Sequence, residues 1–151
     1  MIIIKNAFSM TIIFFLYFMP FLFFPLDINY FNTLNLTWLI PNVSIYYLGS
    51  VIAFIFITTS IFTIIKYEKI NNNYLFALIL NLLSNWLYNF MLYEINNLLL
   101  FIISIISILI STLYLFIETK KINNKLSYMI IFYLFWLVYN IIIFTFTWFL
   151  N

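Results

Sequence analysis

Three asparagines repeat at every fourth position of an otherwise apolar stretch, at Asn81, Asn85 and Asn89. In an α-helix this spacing places the three amides along one face. A primary amide in hydrocarbon must find hydrogen-bond partners, which leaves two interpretations. The amides either join this helix to its neighbours, or part of the stripe offers hydrogen bonds to the polar atoms of an apolar ligand held between helices. The spacing leaves both open.

Other polar and aromatic residues lie in the apolar stretches that follow. Ser104, Ser107 and Ser111 share one helical face, where small side chains permit close helix packing. Asn140 is a single amide among aromatic residues and fits packing or a ligand site equally well. Trp136, about three turns into the last apolar stretch, fits either a flat wall for a planar ligand or a core-packing indole.

Several kinds of chemistry are excluded by composition. The chain has no cysteine and no histidine, so thiolate or imidazole metal sites, the corresponding nucleophile and base pairs, and disulfides have no residues to form them. The charged residues fall at the ends of the apolar stretches, so a buried carboxylate for proton or ion coupling is not predicted. These absences disfavour ion pumps and intramembrane proteases.

The elements that hold these residues are membrane-spanning helices. Of the 151 residues, 67% are hydrophobic and only 7% are charged, which no water-soluble domain matches. Five apolar runs are each long enough to cross about 30 Å of hydrocarbon. They cover residues 7–24, 45–65, 74–93, 98–117 and 127–148. We therefore predict an all-α integral membrane bundle of five transmembrane helices, residues 1–151 forming one domain, with short connections and antiparallel neighbours.

The lysines predict the orientation of the bundle. With five crossings, Lys5, Lys66, Lys69 and the group at residues 120–125 all fall on one side, and the opposite side has no basic residue. The positive-inside rule makes the lysine-rich side cytoplasmic. The amino terminus is then inside, whereas the carboxyl terminus and the long first loop, residues 25–44, are outside.

Six short segments resemble, in order and spacing, motifs of the translocator protein or tryptophan-rich sensory protein family of small five-helix membrane proteins. They are Phe24-Pro25-Leu26-Asp27, Tyr30-Phe31-Asn32-Thr33-Leu34 (similar to W-Y-x-x-L), Trp38-Leu39-Ile40-Pro41, Leu78-Ile79-Leu80-Asn81 (L-x-L-N), Tyr133-Leu134-Phe135-Trp136 (P-Y-x-x-W) and Trp148-Phe149-Leu150-Asn151 (W-x-L-N). The resemblance covers nearly the whole chain from Phe24 onward.

This resemblance implies a binding protein, transporter or sensor for a hydrophobic planar molecule. The implied ligands are protoporphyrin IX or haem, or a sterol-like molecule, held between the helices beneath the first loop. The expected ligand-binding residues are Trp38, Asn81, Asn85, Phe90, Tyr133, Trp136 and Asn140. No cofactor is required, no nucleic acid is bound, and a homodimer in the cell membrane, that of a bacterium, is expected.

Departures from the family pattern bear on activity. The second-helix tryptophan that some bacterial members need for porphyrin breakdown falls at Gly49, Ser84 replaces a third-helix tryptophan, and Phe132 replaces a proline. We therefore expect ligand binding without porphyrin-degrading activity. The alternative function is a non-catalytic accessory subunit whose polar stripes only bind other helices.

Overall fold

Five helices make up the computed structural model, which describes residues 2–24, 33–35, 43–68, 70–93, 95 and 97–151, except for the side chains at 2–8, 43–45 and 92–93. The helices are α1 (Ile2–Phe23), α2 (Val43–Tyr67), α3 (Asn72–Tyr93), α4 (Leu98–Ile122) and α5 (Asn124–Leu150). Their order agrees with the five predicted runs. Each helix extends a few residues beyond at least one predicted end, because residues that flank the predicted runs still form helical hydrogen bonds.

Four of the helices, α2 to α5, are long and apolar enough to cross a membrane. The part of α1 with described side chains, Ser9–Phe23, is apolar but shorter. Helices suit a bilayer because they satisfy their backbone hydrogen bonds internally. The prediction of an all-helical membrane bundle is confirmed at this level.

The distribution of side chains is that of a protein dissolved in lipid. Large apolar side chains point outward along every helix, for example Leu48, Leu83 and Phe135, which are 59%, 63% and 70% exposed. The amides of Asn81 and Asn140, by contrast, are buried. In water this arrangement would expose a large apolar surface, whereas in a bilayer the outward side chains meet acyl chains.

The helices pack in a ring in the order α1, α2, α5, α4, α3 and back to α1. Contacts between α3 and α4 show antiparallel packing, since Asn81 pairs with Thr112 while Tyr88, further along α3, meets Phe101, further back along α4. A ring of five cannot alternate direction all the way round. One neighbouring pair must be parallel.

The parallel pair is α1 and α3. Tyr17 pairs with Asn81, and Phe24 meets Phe90 with ring centroids 5.4 Å apart, so residue numbers rise together along the two helices. The amino-terminal end of α1 therefore lies at the same end of the bundle as the α4–α5 connection. Lys5, Lys66 and the lysines near residue 121 are thus brought to one end, as the sequence predicts.

That end is closed by a one-residue connection between α4 and α5. Asn123 ends α4 and caps α5, where its Oδ1 accepts from the backbone N–H groups of Lys125 and Leu126. Its Nδ2 donates to Oε1 of Glu68, at the end of α2, over 2.9 Å. The predicted end of the fourth run at residue 117 is wrong: Glu118 is helical, buried and paired with Lys121 at 2.5 Å, so the helix continues through the charged residues.

A proline inside α1 is accommodated by a neighbouring helix. Pro20 is buried and has no N–H, so the carbonyl of Leu16 lacks its helical partner. The indole Nε1–H of Trp86 on α3 donates to that carbonyl over 3.3 Å. An orphaned carbonyl in hydrocarbon is costly, and the indole removes that cost.

Candidate functional site

Asn81 joins three helices near the middle of the bundle. Its Oδ1 accepts from the hydroxyl of Tyr17 on α1 over 2.7 Å. Its Nδ2 donates to Thr112 Oγ1 over 2.7 Å and to Ser111 Oγ over 3.2 Å, both on α4. The side chain is fully buried and both ends of the amide are used. In this structure Asn81 acts as a link between helices.

Asn85, one turn further along α3, faces a small cavity inside the bundle. The cavity is about 10 Å³, room for no more than a single water molecule. Its lining residues are Phe21, Ser50, Phe54, Asn85, Tyr88, Tyr133, Trp136 and Leu137. Asn85 donates from Nδ2 to the carbonyl of Tyr17 over 3.0 Å, whereas from the described residues its Oδ1 receives only a long, 3.5 Å hydrogen bond from Tyr133. This acceptor is therefore weakly satisfied.

A second polar chain lies on the side of the cavity toward α2 and α5. Tyr46 donates its hydroxyl proton to Asn140 Oδ1 over 2.6 Å. Because a hydroxyl carries one proton, the 2.8 Å contact between Tyr46 and Tyr88 has Tyr88 as donor. Asn140 Nδ2 in turn donates to the carbonyl of Trp136 over 2.6 Å. The chain joins α2, α3 and α5.

Asn89 is the least satisfied amide of the stripe. Its Nδ2 donates to the carbonyl of Asn85 over 2.8 Å, within the same helix. Its Oδ1 is buried and has no hydrogen-bond partner in the described part of the chain. A free amide oxygen in hydrocarbon raises the free energy of the folded state, and a donor from outside the bundle would lower it.

Trp136 packs against the single glycine of the chain. A Cβ added at Gly49 would lie 2.5 Å from Cζ3 of the indole and closer still to Cη2, so no larger residue fits without movement of the ring. The indole also makes tilted ring contacts with Tyr46 and Tyr139, with centroid distances of 5.4 and 5.5 Å. The space beside Gly49, where the resemblance puts the family's second-helix tryptophan, is thus taken up by the ring of Trp136.

The structure brings some of the predicted ligand-binding residues together and separates others. Asn85, Tyr133 and Trp136 line the cavity, and Asn140 is connected to the lining residue Tyr88 through the hydroxyl of Tyr46. Asn81 lies next to the cavity but is committed to other helices. Phe90 is half-buried against Phe24, away from the cavity lining. Trp38 lies outside the described residues.

Several residues of this site are not predicted from the sequence. Tyr17 and Tyr46 supply the hydroxyls that pair with Asn81 and Asn140, yet nothing in their spacing distinguishes them from the other ten tyrosines of the twelve. Tyr88 was accessible to prediction, because it lies three residues after Asn85 and so shares its helical face. The uniqueness of Gly49 was also a signal for a close contact.

The chemistry available at this site is recognition by neutral groups. The described residues of the cavity lining hold hydroxyl, amide and aromatic groups, and none of them is charged. Within the described residues no cluster of His, Cys, Asp or Glu could hold a metal ion. Such a lining suits an apolar guest with a few polar atoms. Against known families and curated proteins, no family model and no curated protein matches the chain.

Proposed function

We propose that this chain is a membrane-embedded binding protein, transporter or sensor for a flat, largely apolar small molecule. The observation that carries the proposal is the interior cavity, where Asn85 and Tyr133 place weakly paired polar groups against the indole of Trp136. If these positions served only to pack the bundle, apolar residues would fill them without the free-energy cost of burying an amide. A ligand with one polar edge makes use of these groups.

The ligand class follows from this lining. Aromatic rings favour a planar guest, and neutral donors and acceptors favour carbonyl, hydroxyl or carboxyl groups at its edge. The motif resemblance to the translocator protein or tryptophan-rich sensory protein family makes a tetrapyrrole the first molecule to test, and a sterol-like molecule the second. Family membership, a homodimer and a bacterial plasma membrane belong to the same proposal. With no cysteine or histidine in the chain, we propose no catalytic step.

Binding requires the cavity to open. Small-molecule sites usually measure about 300 to 1,000 Å³. The present cavity of about 10 Å³ is far smaller. Two features allow it to enlarge. The hydrogen bond between Tyr133 and Asn85 is long, and the indole of Trp136 is held beside Tyr46 by a tilted ring contact.

A second function has an observation of its own. Asn81 is satisfied by Tyr17, Ser111 and Thr112, and this complete pairing is what a bundle built only to hold helices together requires. A non-catalytic accessory subunit is therefore the alternative. It binds other helices and no small ligand.

The deciding experiment is a titration of detergent-purified protein with protoporphyrin IX and with haem, followed by tryptophan fluorescence. We expect saturable binding, weakened about three- to tenfold in Tyr133→Phe, which removes one donor and leaves the ring. Trp148→Phe is the control, since Trp148 lies exposed near the end of α5 and away from the cavity.

Two results would contradict the proposal. Binding unaffected by Tyr133→Phe would move the ligand away from this cavity. If neither tetrapyrrole binds and a second membrane protein copurifies in mild detergent, the chain is an accessory subunit.

A further inference from the structure

The outer surface of the bundle has an apolar groove between α2 and α5. Its volume is about 360 Å³, within the range of small-molecule sites. The groove residues are Gly49, Ile52, Ala53, Phe132, Phe135, Trp136 and Tyr139. Ile52 and Phe132 are 45% and 57% exposed, so the groove faces the region where α2 and α5 meet lipid.

The groove and the interior cavity lie on opposite sides of the same two helix segments. On α2, Gly49 and Ala53 line the groove, while the next residue after each, Ser50 and Phe54, lines the cavity. Trp136 is the one residue common to both linings in the described part of the chain. Its indole is therefore the partition between the lipid side and the polar interior.

This partition is held in place by weak contacts. The indole rests on the backbone at Gly49 and beside the rings of Tyr46 and Tyr139. Among the described residues, none of the hydrogen bonds involves its Nε1–H. Aromatic contacts of this kind are ones that a ligand ring can also make, so a ligand that replaces them can displace the indole.

We propose that the α2–α5 groove is the lateral portal and outer half of the binding site, through which a planar, amphipathic ring system passes from the bilayer with Trp136 as the movable partition. This inference rests on the proposed function. The occupant is fixed by the two linings together. The described groove residues offer apolar and aromatic walls to the body of the ring system, and the cavity behind Trp136 offers Asn85 and Tyr133 to its polar edge.

The structure provides a matched pair of substitutions to test the portal. Ile52 and Ile55 both lie on α2, and each is 45% exposed. Ile52 lines the α2–α5 groove, whereas Ile55 lines a separate groove of about 370 Å³ beside α1. Ile52→Trp therefore fills the proposed portal, and Ile55→Trp adds the same bulk to a neighbouring face. Both changes point into lipid, so neither buries new bulk in the core.

The experiment measures the association rate of protoporphyrin IX, added from lipid vesicles, with the protein in liposomes, by stopped-flow tryptophan fluorescence. We expect Ile52→Trp to slow association about tenfold, and Ile55→Trp to leave it within about twofold. Trp136→Phe, with a smaller ring over Gly49, should raise the association and dissociation rates together.

Two outcomes distinguish failure of the portal from failure of the proposed binding function. Saturable binding with equal association rates in Ile52→Trp and Ile55→Trp would overturn the portal and leave the binding function intact. No saturable binding by the unsubstituted chain would overturn both.

Discussion

The indole of Trp86 on α3 donates a hydrogen bond to the carbonyl of Leu16 on α1, the carbonyl that Pro20 leaves without a helical partner. A proline that would weaken an isolated helix thus becomes a point of attachment between two helices that run parallel. The relationship explains why a tryptophan occupies this position at the boundary of α1 and α3. It also makes the roles of Trp86 and Pro20 interdependent.

Substitution of Trp86 should therefore depend on residue 20. Trp86→Phe removes the donor, and we expect a loss of about 0.6 to 2 kcal/mol of stability, the range for hydrogen bonds between membrane helices. In a Pro20→Ala background residue 20 regains its N–H and can donate to Leu16, so the same substitution should lose less. Unfolding by SDS in mixed micelles measures both differences. Equal losses in the two backgrounds would show that the indole does not serve this carbonyl.

The hydrogen bond between Tyr17 and Asn81 can be measured by a double-mutant cycle. We expect Tyr17→Phe and Asn81→Leu to interact by about 0.6 to 2 kcal/mol, because each substitution leaves the partner's polar atom buried and less satisfied. SDS unfolding of the two single variants and the double variant gives the coupling free energy. Tyr128→Phe is the control, since Tyr128 is 58% exposed and should show no coupling with Asn81. Additive losses from Tyr17 and Asn81 would contradict the pairing.

The helices of this protein are well predicted because each is marked in the sequence by the length of an apolar run and by the charged residues that flank it. Runs of about 20 apolar residues between charges have one stable solution in a bilayer. Charged residues near helix ends are less informative. The predicted fourth run ends at residue 117, yet Glu118 pairs with Lys121 within the helix. Asn123 caps both neighbouring helices, so that single residue separates α4 from α5.

The polar interior was predictable only in part. The four-residue repeat of Asn81, Asn85 and Asn89 indicates a shared face, and the structure places all three inward. The repeat does not indicate which helix each amide contacts, because those contacts depend on the order in which the five helices pack around the bundle. Tyr17 pairs with Asn81 because α1 packs against α3, and Tyr46 pairs with Asn140 because α2 packs against α5.

Loss of the Tyr46 hydroxyl should lower stability more than loss of the Tyr88 hydroxyl. Tyr46→Phe deprives Asn140 of its donor and Tyr88 of its acceptor, so two groups are left unsatisfied. Tyr88→Phe removes one hydrogen bond and leaves the shorter Tyr46–Asn140 bond in place. We expect the first loss of unfolding free energy to be about twice the second. Thermal unfolding in detergent ranks the two variants, and the reverse order would be inconsistent with Tyr46 as the central hydroxyl.

Asn123 has two separable roles. Asn123→Ala removes both the cap of α5 and the hydrogen bond to Glu68, and we expect a loss of about 1 to 2 kcal/mol. Asn123→Asp keeps a capping oxygen but replaces the donor toward Glu68 with a like charge, so its loss should shrink as salt screens the repulsion. SDS unfolding at low and high salt distinguishes the two. Asn124→Ala, at an exposed neighbouring position, is the control and should change little.

Membrane orientation can be tested by cysteine labelling, because the chain has no cysteine of its own. Five crossings with the lysine-rich end inside predict that Lys125→Cys and Lys5→Cys react with a membrane-impermeant maleimide only after the cells are permeabilised. A cysteine appended after Asn151 should react in intact cells. The two terminal positions test whether α1 crosses the membrane, because an odd number of crossings places the two termini on opposite sides. Labelling of Lys5→Cys and the appended cysteine from the same side would mean that α1 does not cross. Labelling of Lys125→Cys in intact cells, with the appended cysteine protected, would reverse the orientation and place the lysines against the positive-inside rule.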